Sequence, residues 1–298
     1  GKSTNTESIT IGGALSINGP ISIYGGDITV NENLNTTSGG AAGDILLKGS
    51  GDISLAAAKS ITTNAGDLIL WANSDGQTAN GGVFLRNGSS ITTSGGNVWI
   101  GGGSGSTTWN GLTVGDGYAI AGTVFTPYFT TTGLGLDGNG GIYLEASSID
   151  TDGGHILLKG DGSSNLWGIV TLGNNTISSS AGTIELVGIK SATTNDPGIL
   201  FGFHDGVVGA PAGNTTINSS ASGQAISISG SGTALGNGIA IDGTVTVEST
   251  GSGSIELLGT GGSSGYGIEV GNYYNSSKLE VYAASGDITL DGGTRGIS

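Results

Sequence analysis

The chain has 298 residues, of which 62 are glycine and 4 are proline, and it contains neither cysteine nor methionine. Its 23 acidic and 8 basic residues give a net charge of −15, which would repel a nucleic-acid backbone, and the lack of cysteine excludes disulfides and thiolate metal sites. The glycines follow no three-residue period, so the chain is not collagen-like, and its 10% of charged residues is too few for a charge-swollen disordered chain.

The hydropathy of the chain excludes a membrane helix. No apolar run approaches the roughly 18–20 residues that a membrane span needs. The first residues, GKSTNTES, are too polar for a signal peptide. We therefore expect no membrane span in this chain and no nucleic-acid partner.

A short apolar alternation recurs along the chain at nearly constant spacing. Each repeat opens with glycine followed by isoleucine, leucine or valine, at Gly82, Gly111, Gly141, Gly168, Gly198, Gly238, Gly267 and Gly296. Most of these openings follow one another at a nearly equal step, and the step from Gly198 to Gly238 is longer than the others. Counted back at the same step, comparable openings fall at Asp52-Ile53 and Ser22-Ile23. The spacing predicts about ten units of roughly 29–30 residues in one repeat array.

Each unit contains three apolar alternations, separated by turns. Ile142, Ile149 and Ile156 are evenly spaced, and other units keep the same spacing. Three short strands per unit, none able to bury a face alone, predict an all-β fold, a right-handed parallel β-helix (β-solenoid). Stacked coils would lie about 4.8 Å apart. We expect one inward column formed by Val83, Ile142, Val170, Ile239 and Ile268.

The turns between strands follow a pattern of their own. AGD at 65–67, SGG at 94–96, DGG at 152–154 and SAG at 180–182 precede the third strand of their units. Glycine adopts positive φ without strain, so we expect it to supply the conformation of each corner. The recurring Gly-Asp-Ile/Leu step predicts corner aspartates that bind backbone groups. Serine and threonine are expected at the outward positions of the strands.

The repeat predicts one continuous solenoid over residues 1–298. The first coil, 1–20, fits the period poorly, and irregular or inserted coils are expected at 102–133 and 198–237. The chain stops one step into a further unit, at Gly296-Ile297-Ser298, with no visible capping segment. We therefore expect a segment of a longer array, or a subunit whose ends are covered by copies of itself.

Several phrases of the repeat resemble those of filamentous-haemagglutinin-like exoproteins: GGDITV, SGDISLAA, AGDLILWA, SITTSGG and SGGNVWI. Members of that family are large bacterial surface adhesins, commonly exported by two-partner secretion, that fold as right-handed parallel β-helices. The resemblance covers most of 20–298 and implies a secreted or cell-surface location and a shaft region. The family's amino-terminal Asn-Pro-Asn motifs are absent, with NENLN at 31–35 the closest approach, so the export route stays open.

The sequence offers little catalytic chemistry, and we expect no catalytic, cofactor-binding or metal-binding residue. His155 occupies the corner position that Asp67, Asn97 and Thr183 hold in other units, which favours a corner role. A polysaccharide-cleaving β-helix needs two carboxyl groups roughly 5–10 Å apart. The acidic residues that could supply them are Asp150, Asp152 and Asp161. Calcium binding at Asp- and Asn-rich turns is chemically feasible, but the nonapeptide that would indicate it is missing.

The irregular segments are the better candidates for ligand binding, because insertions leave a repeat scaffold as loops. Their aromatic side chains could stack on sugar rings or instead fill the interior. The candidate residues are Trp109, Tyr118, Phe125, Tyr128, Phe129, Phe201, Phe203 and His204.

Three functions follow from the sequence as hypotheses. The first is a non-enzymatic structural protein, the rigid shaft of a bacterial adhesin. The second is a filament or sheath subunit that stacks end to end through its strand edges. The third is a carbohydrate-active β-helix enzyme. Partners would be neighbouring coils, copies of the protein, or glycans and host-surface components.

Overall fold

The computed structural model describes residues 2, 4–77, 81–120, 140–163, 167–191, 195–203, 213–271 and 277–298. Short strands separated by corners wind into a β-solenoid, in which each coil contributes one strand to each of three parallel sheets. In these ranges the helical turns are two short 3₁₀ segments, Gly40–Gly43 and Gly293–Arg295. The predicted all-β parallel solenoid is confirmed.

The first sheet contains the opening strand of each coil. Its order is β1 (Ile9–Ile11), β4 (Ile28–Val30), β7 (Ile53–Leu55), β10 (Val83–Leu85), β15 (Gly140–Glu145), β18 (Trp167–Leu172), β21 (Ile199–Phe203), β24 (Ile239–Ile241) and β27 (Ile268–Val270).

The second sheet contains the middle strands. Its order is β2 (Leu15–Ile17), β5 (Leu34–Gly39), β8 (Ser60–Asn64), β11 (Ser90–Thr92), β16 (Ser148–Asp150), β19 (Asn175–Ser179), β22 (Asn214–Ser219), β25 (Thr244–Ser249) and β28 (Lys278–Ala283).

The third sheet contains the closing strands. Its order is β3 (Ile21–Gly25), β6 (Ile45–Gly49), β9 (Leu68–Trp71), β12 (Val98–Trp109), β17 (Ile156–Asp161), β20 (Ile184–Ile189), β23 (Gln224–Ser231), β26 (Ser254–Thr260) and β29 (Ile288–Asp291). Two more strands attach to it, since β13 (Leu112–Gly117) pairs with β12 and β14 (Ala119–Ile120) pairs with β17.

The described residues form nine coils, fewer than predicted, in part because the predicted unit opening at Gly111 is a hairpin turn. Asn110 and Gly111 have φ values of 45° and 80°, and Trp109 pairs with Leu112 across them. Asn-Gly with positive φ at both positions is the preferred two-residue hairpin turn. The irregularity predicted at 102–133 therefore begins as an antiparallel hairpin, not as a coil.

The first coils are shorter than the repeat predicts. Ile9 pairs with Ile28, and Ile28 pairs with Ile53, so both of these steps along the chain are shorter than the step from Ile53 to its partner Val83. The predicted opening at Ile23 is wrong, because this residue lies in the third sheet opposite Leu47. The number of residues per coil varies between coils, so extrapolation at a fixed period fails here.

The interior is filled by aligned apolar columns. In the first sheet, one column consists of Val83, Ile142, Ile169, Ile199, Ile239 and Ile268. The prediction of Val170 in this column is wrong by one residue. Val170 packs on the outer face in a cluster with Phe84, Tyr143, Leu200 and Ala240. Because both faces of this strand are buried, apolar residues alone do not reveal the register.

Candidate functional site

The corner between the second and third sheets carries a ladder of side-chain acceptors. Asp44 Oδ1 accepts the N–H of Asp67 at 2.9 Å, and Asp67 Oδ1 accepts that of Asn97 at 2.7 Å. Asn97 Oδ1 accepts the N–H of His155 at 2.9 Å. Each side chain thus binds a backbone donor of the next coil. We call this set, with Thr183 as its last member, the corner ladder.

His155 forms one rung of the corner ladder. Its Nδ1 accepts the backbone N–H of Thr183 at 3.0 Å and lies 2.8 Å from the Thr183 hydroxyl oxygen. Because Nδ1 accepts a backbone N–H, the proton of the neutral ring lies on Nε2. The structure therefore places His155 at the corner position that the sequence repeat predicts.

A second ladder lies inside the same corner. The hydroxyls of Thr36 and Thr151 each donate to a glycine carbonyl, of Gly43 and Gly154 respectively, at 2.5 Å. Equivalent bonds join Thr63 to Gly66, Thr93 to Gly96, Ser219 to Gly182 and Ser249 to Gly253. The expectation of outward hydroxyls is therefore wrong for these positions, which are buried. The missed signal at Thr63, Thr93 and Thr151 is a threonine followed three positions later by glycine, whereas Thr36, Ser219 and Ser249 bind glycines at other separations.

The glycines of this corner are required by close approach between coils. A Cβ on Gly154 would lie 2.0 Å from the carbonyl oxygen of Gly96, and one on Gly182 would lie 2.0 Å from that of Gly154. Positive φ occurs instead at the residues before them, such as Asp152 at 47° and Gly153 at 124°. The last glycine of each corner is thus present for contact, whereas Gly95 and Gly153 adopt positive φ as the sequence predicts.

Aspartates also bind the backbone at the corner between the third and first sheets, as predicted. Asp27 Oδ1 accepts the N–H of Asp52 at 3.0 Å. Asp52 Oδ1 accepts the N–H groups of Gly81 and Gly82 at 3.1 and 2.8 Å. Burial raises the pKa of Asp52, although the hydrogen bond from Gly82 opposes this shift.

The β12–β13 hairpin folds onto the outer face of the third sheet. Trp71, Trp99, Val114 and Leu157 form a buried cluster there. The two indole rings meet edge to face, with centroids 6.2 Å apart and planes at 71°. Trp71 Nε1 donates to the Gly103 carbonyl at 2.8 Å, which fastens the hairpin to the sheet. This packing gives the insertion a fixed position on the solenoid.

Two predicted binding residues lie on or next to this hairpin. Trp109, at its tip, is partly buried against the tryptophan cluster. Tyr118 is partly buried as well, and Lys159 Nζ lies 4.7 Å from its ring centroid. Burial raises the pKa of Tyr118, and the charges of Asp161 and Glu185 add to the shift. Trp109 and Tyr118 thus keep part of their surface exposed at the hairpin, where a ligand can contact them.

The other predicted binding residues include two on β21, Phe201 and Phe203. Phe201 is 1% exposed and packs inside the solenoid on β21, so it cannot contact a ligand. Phe203 is the last residue of that strand. Phe125, Tyr128, Phe129 and His204 lie outside the described residues. The interior position of Phe201 follows from strand alternation with Ile199, which the insertion after Gly198 obscured.

Asp152 and Asp161, the acidic residues that flank β17, do not form a pair. Asp152 precedes β17 and Asp161 ends it, and a strand of about 5–6 residues spans roughly 17–20 Å. Paired glycosidase carboxyl groups lie roughly 5–10 Å apart. Asp152 is exposed in the turn, whereas Asp161 is buried and its pKa is raised by burial. Asp150 is exposed at the end of β16.

A charged cluster lies on the outer face of the first sheet. Arg86 covers the rings of Phe84 and Tyr143, with its guanidinium carbon 5.0 and 5.5 Å from their centroids. Burial lowers the pKa of Arg86 and raises that of Glu145, whose shift is opposed by the nearby Arg86 charge. The arrangement is that of a cation packed on aromatic faces, which stabilises this face of the coil.

The described residues contain no group of three or more histidine, cysteine or acidic side chains placed to hold a metal ion. None of the helices in these ranges is long and apolar enough to cross a membrane. One shallow polar cavity of about 260 Å³ lies near the amino-terminal coils, lined by Thr6, Ser8, Gly26, Asp27, Ser50, Gly51, Asp75 and Gln77.

The fold places the chain among parallel β-solenoid proteins. No protein-family model, curated protein or solved structure matches it. The resemblance to filamentous-haemagglutinin-like repeats thus gains no support from these comparisons and stays a prediction.

Proposed function

We propose that this chain is a rigid, non-enzymatic spacer, the shaft of an extracellular bacterial adhesin. The observation that supports this proposal is the continuity of all three sheets through nine coils. At about 4.8 Å per coil, the described stack is roughly 40 Å long. Three sheets around one core resist bending in every direction, because any bend must stretch the hydrogen bonds of at least one sheet.

The corner bonds support the same function. Each rung of the corner ladder joins one coil to the next, through bonds such as Asn97 to His155 and His155 to Thr183. The inner hydroxyls bind the glycine carbonyls of the same corner. Side chains therefore reinforce the backbone contacts between coils, where a rod under tension or bending would otherwise open.

The test is to change the number of coils and measure reach. The segment 239–267 forms one fully described coil, which begins at Ile239 and ends before its partner Ile268. Four added copies should lengthen the rod by about 20 Å. The protein is displayed between a bacterial surface anchor and a fluorescent tag, and energy transfer from the tag to a membrane dye is measured.

Energy transfer should fall in the elongated protein. A matched control carries a glycine-serine linker with the same number of added residues, whose root-mean-square span is about 54–65 Å, at about 5–6 Å times the square root of the residue number. Energy transfer should therefore fall further in this control than in the elongated rod, and an equally large fall in the elongated protein would mean that the added coils are not rigid. Equal transfer for the native, elongated and linker proteins would contradict the spacer function.

End-to-end stacking is a second candidate function. Three apolar side chains of the last coil and its edge are more than two-fifths exposed: Ile288 at 44%, Leu290 at 41% and Ile297 at 49%. A further coil, from a copy of the chain, would cover them and add strands to the sheet edges. Electron microscopy over a range of protein concentrations tests this, since fibres that lengthen with concentration would support stacking and rods of constant length would oppose it.

The carbohydrate-active enzyme is the least supported of the three functions. Its best acid pair, Asp152 and Asp161, is divided by the length of β17. An assay for products released from polysaccharides tests it, with Asp152→Asn and Asp161→Asn as variants. Activity lost in either variant would favour the enzyme over the shaft.

A further inference from the structure

A buried lysine lies at the corner that follows β20. Lys190 is 2% exposed, and its backbone N–H donates to the Ser231 carbonyl at 2.8 Å, which fixes it in the stack. Its Nζ lies 3.6 Å from Oδ2 of Asp196, and the lysine side chain itself is 0% exposed. A lysine that is fully removed from water is unusual and needs a carboxylate partner.

A second carboxyl group lies beside this pair. Asp161 is opposite Ile189 in the register of β17 and β20, and its Oδ1 accepts the N–H of Ser191 at 3.1 Å. It is 7% exposed. Asp161 and Lys190 therefore lie at neighbouring positions of adjacent coils, and the lysine amine interacts with the charges of both Asp161 and Asp196.

Burial shifts both groups toward their neutral forms. It lowers the pKa of Lys190, against the opposing effects of Asp196 and Asp161, and it raises the pKa of Asp161. A neutral amine is a nucleophile, and a neutral carboxylic acid can donate a proton. The corner thus combines the groups required for amide formation between side chains.

We propose that Lys190 and Asp196 condense in the folded protein to an intramolecular isopeptide bond, with Asp161 transferring the proton. The Lys190 Nζ attacks the Asp196 carboxyl carbon, a C–N bond forms, and a C–O bond breaks. The ammonium and carboxylate together become one amide and one water molecule, so atoms and charge balance without an oxidant or a co-reactant. The protonated Asp161 gives its proton to the departing oxygen and regains one from the attacking nitrogen, so it ends the reaction in the form in which it began.

The position of the pair favours this reaction. The two groups are held in contact by the fold, which replaces the entropy cost of a bimolecular encounter. Water is excluded from the lysine side chain, which reduces competing solvation of the amine. Asp196 precedes Pro197, which has no backbone N–H, so this aspartate cannot lose water by cyclising onto its own backbone.

Peptide mapping of the purified full-length chain by mass spectrometry tests the proposal. After denaturation and digestion, we expect a fragment that contains both residues, is lighter than its sequence by one water molecule and is not cut by trypsin after Lys190. Tandem spectra should assign the link to the two side chains. A wild-type fragment of unchanged mass, with normal cleavage after Lys190, would overturn the proposal.

Three variants separate the isopeptide bond from other losses of water. Lys190→Arg keeps the positive charge but removes the amine that attacks, so the fragment should have the mass expected from its sequence. A loss of water that persists in this variant would come from another place, such as Asp161-Gly162, and would refute the assignment. Asp196→Asn should form the same amide with loss of ammonia in place of water. Asp161→Asn should leave most of the chain unlinked, and full linkage in this variant would remove Asp161 from the mechanism.

Discussion

The glycines at the corner between the second and third sheets predict a large loss of stability when one of them is replaced by alanine. In Gly154→Ala, the new Cβ would lie 2.0 Å from the carbonyl oxygen and 2.4 Å from the carbonyl carbon of Gly96. Both contacts are to backbone of the neighbouring coil, so no side-chain rotation relieves them. The two coils must separate at this corner.

The cost of that separation has two parts. Overpacking in a rigid interior costs about 1–3 kcal/mol. The separation also stretches bonds of the same corner, including Val98 N–H to the His155 carbonyl at 2.8 Å and His155 N–H to Asn97 Oδ1 at 2.9 Å. At about 0.5–1.5 kcal/mol for each hydrogen bond, the total destabilisation is about 2–6 kcal/mol.

Urea unfolding followed by far-ultraviolet circular dichroism measures this effect as a shift of the midpoint. Gly39→Ala is the matched control, because its Cβ would be 3.7 Å from the nearest atom, an ordinary contact, and Gly39 has φ of −82°. The control should be neutral or slightly stabilising, by about 0.4–1 kcal/mol. Equal midpoints for Gly154→Ala and the control would refute the argument that close coil contact excludes a side chain here.

Three further predictions concern the ladders and the buried acids. His155→Asn should unfold near the wild-type temperature because asparagine keeps an acceptor, whereas His155→Ala should lose about 1–3 kcal/mol by leaving the Thr183 N–H without its partner. Thr93→Ser should retain the hydroxyl bond to Gly96, and Thr93→Val should lower the urea midpoint. Equal stabilities within either pair would show that the rung is dispensable. Burial raises the pKa of four carboxyl groups in the folded protein: Asp44, Asp52, Glu145 and Asp161. Because the native state binds their protons more tightly than the unfolded state does, the urea midpoint should rise as pH falls from neutral toward these folded-state pKa values. A midpoint that falls over this range would contradict the prediction.

The sequence predicts the architecture because its strongest signal is the apolar spacing. Ile149 and Ile177 recur at the same place in their units, and the structure pairs them directly. The same signal gives no warning at Gly111, where Asn110-Gly111 supplies a competing hairpin turn. A glycine before an apolar residue begins a new coil only if the next strand runs parallel to the stack. At Gly111 the two-residue turn reverses the chain direction, and the next strand is antiparallel.

The candidate site was less accessible to sequence reasoning. Phe201 resembles a loop aromatic, since the residues after it break the repeat, yet the alternation from Ile199 places it inside. Lys190 resembles any surface lysine, and only the stacking of neighbouring coils shows that Asp161 lies close to it. Contacts between coils join residues that are a whole repeat apart in the chain, so a local reading of the sequence does not detect them.

The corner ladder explains why the units share a spacing but few identical residues. Asp44, Asp67, Asn97 and His155 differ in size and charge, yet each provides one acceptor to the next backbone N–H. The second ladder, of buried hydroxyls, likewise contains either threonine or serine, provided that the hydroxyl donates to a glycine carbonyl. What repeats is a side-chain acceptor at a fixed position of the corner, and any residue that provides this acceptor keeps adjacent coils joined. A solenoid of this kind can change many of its ladder residues and keep its coils joined, so its sequence should diverge rapidly at the corner-ladder positions and slowly at the corner glycines, where a side chain does not fit.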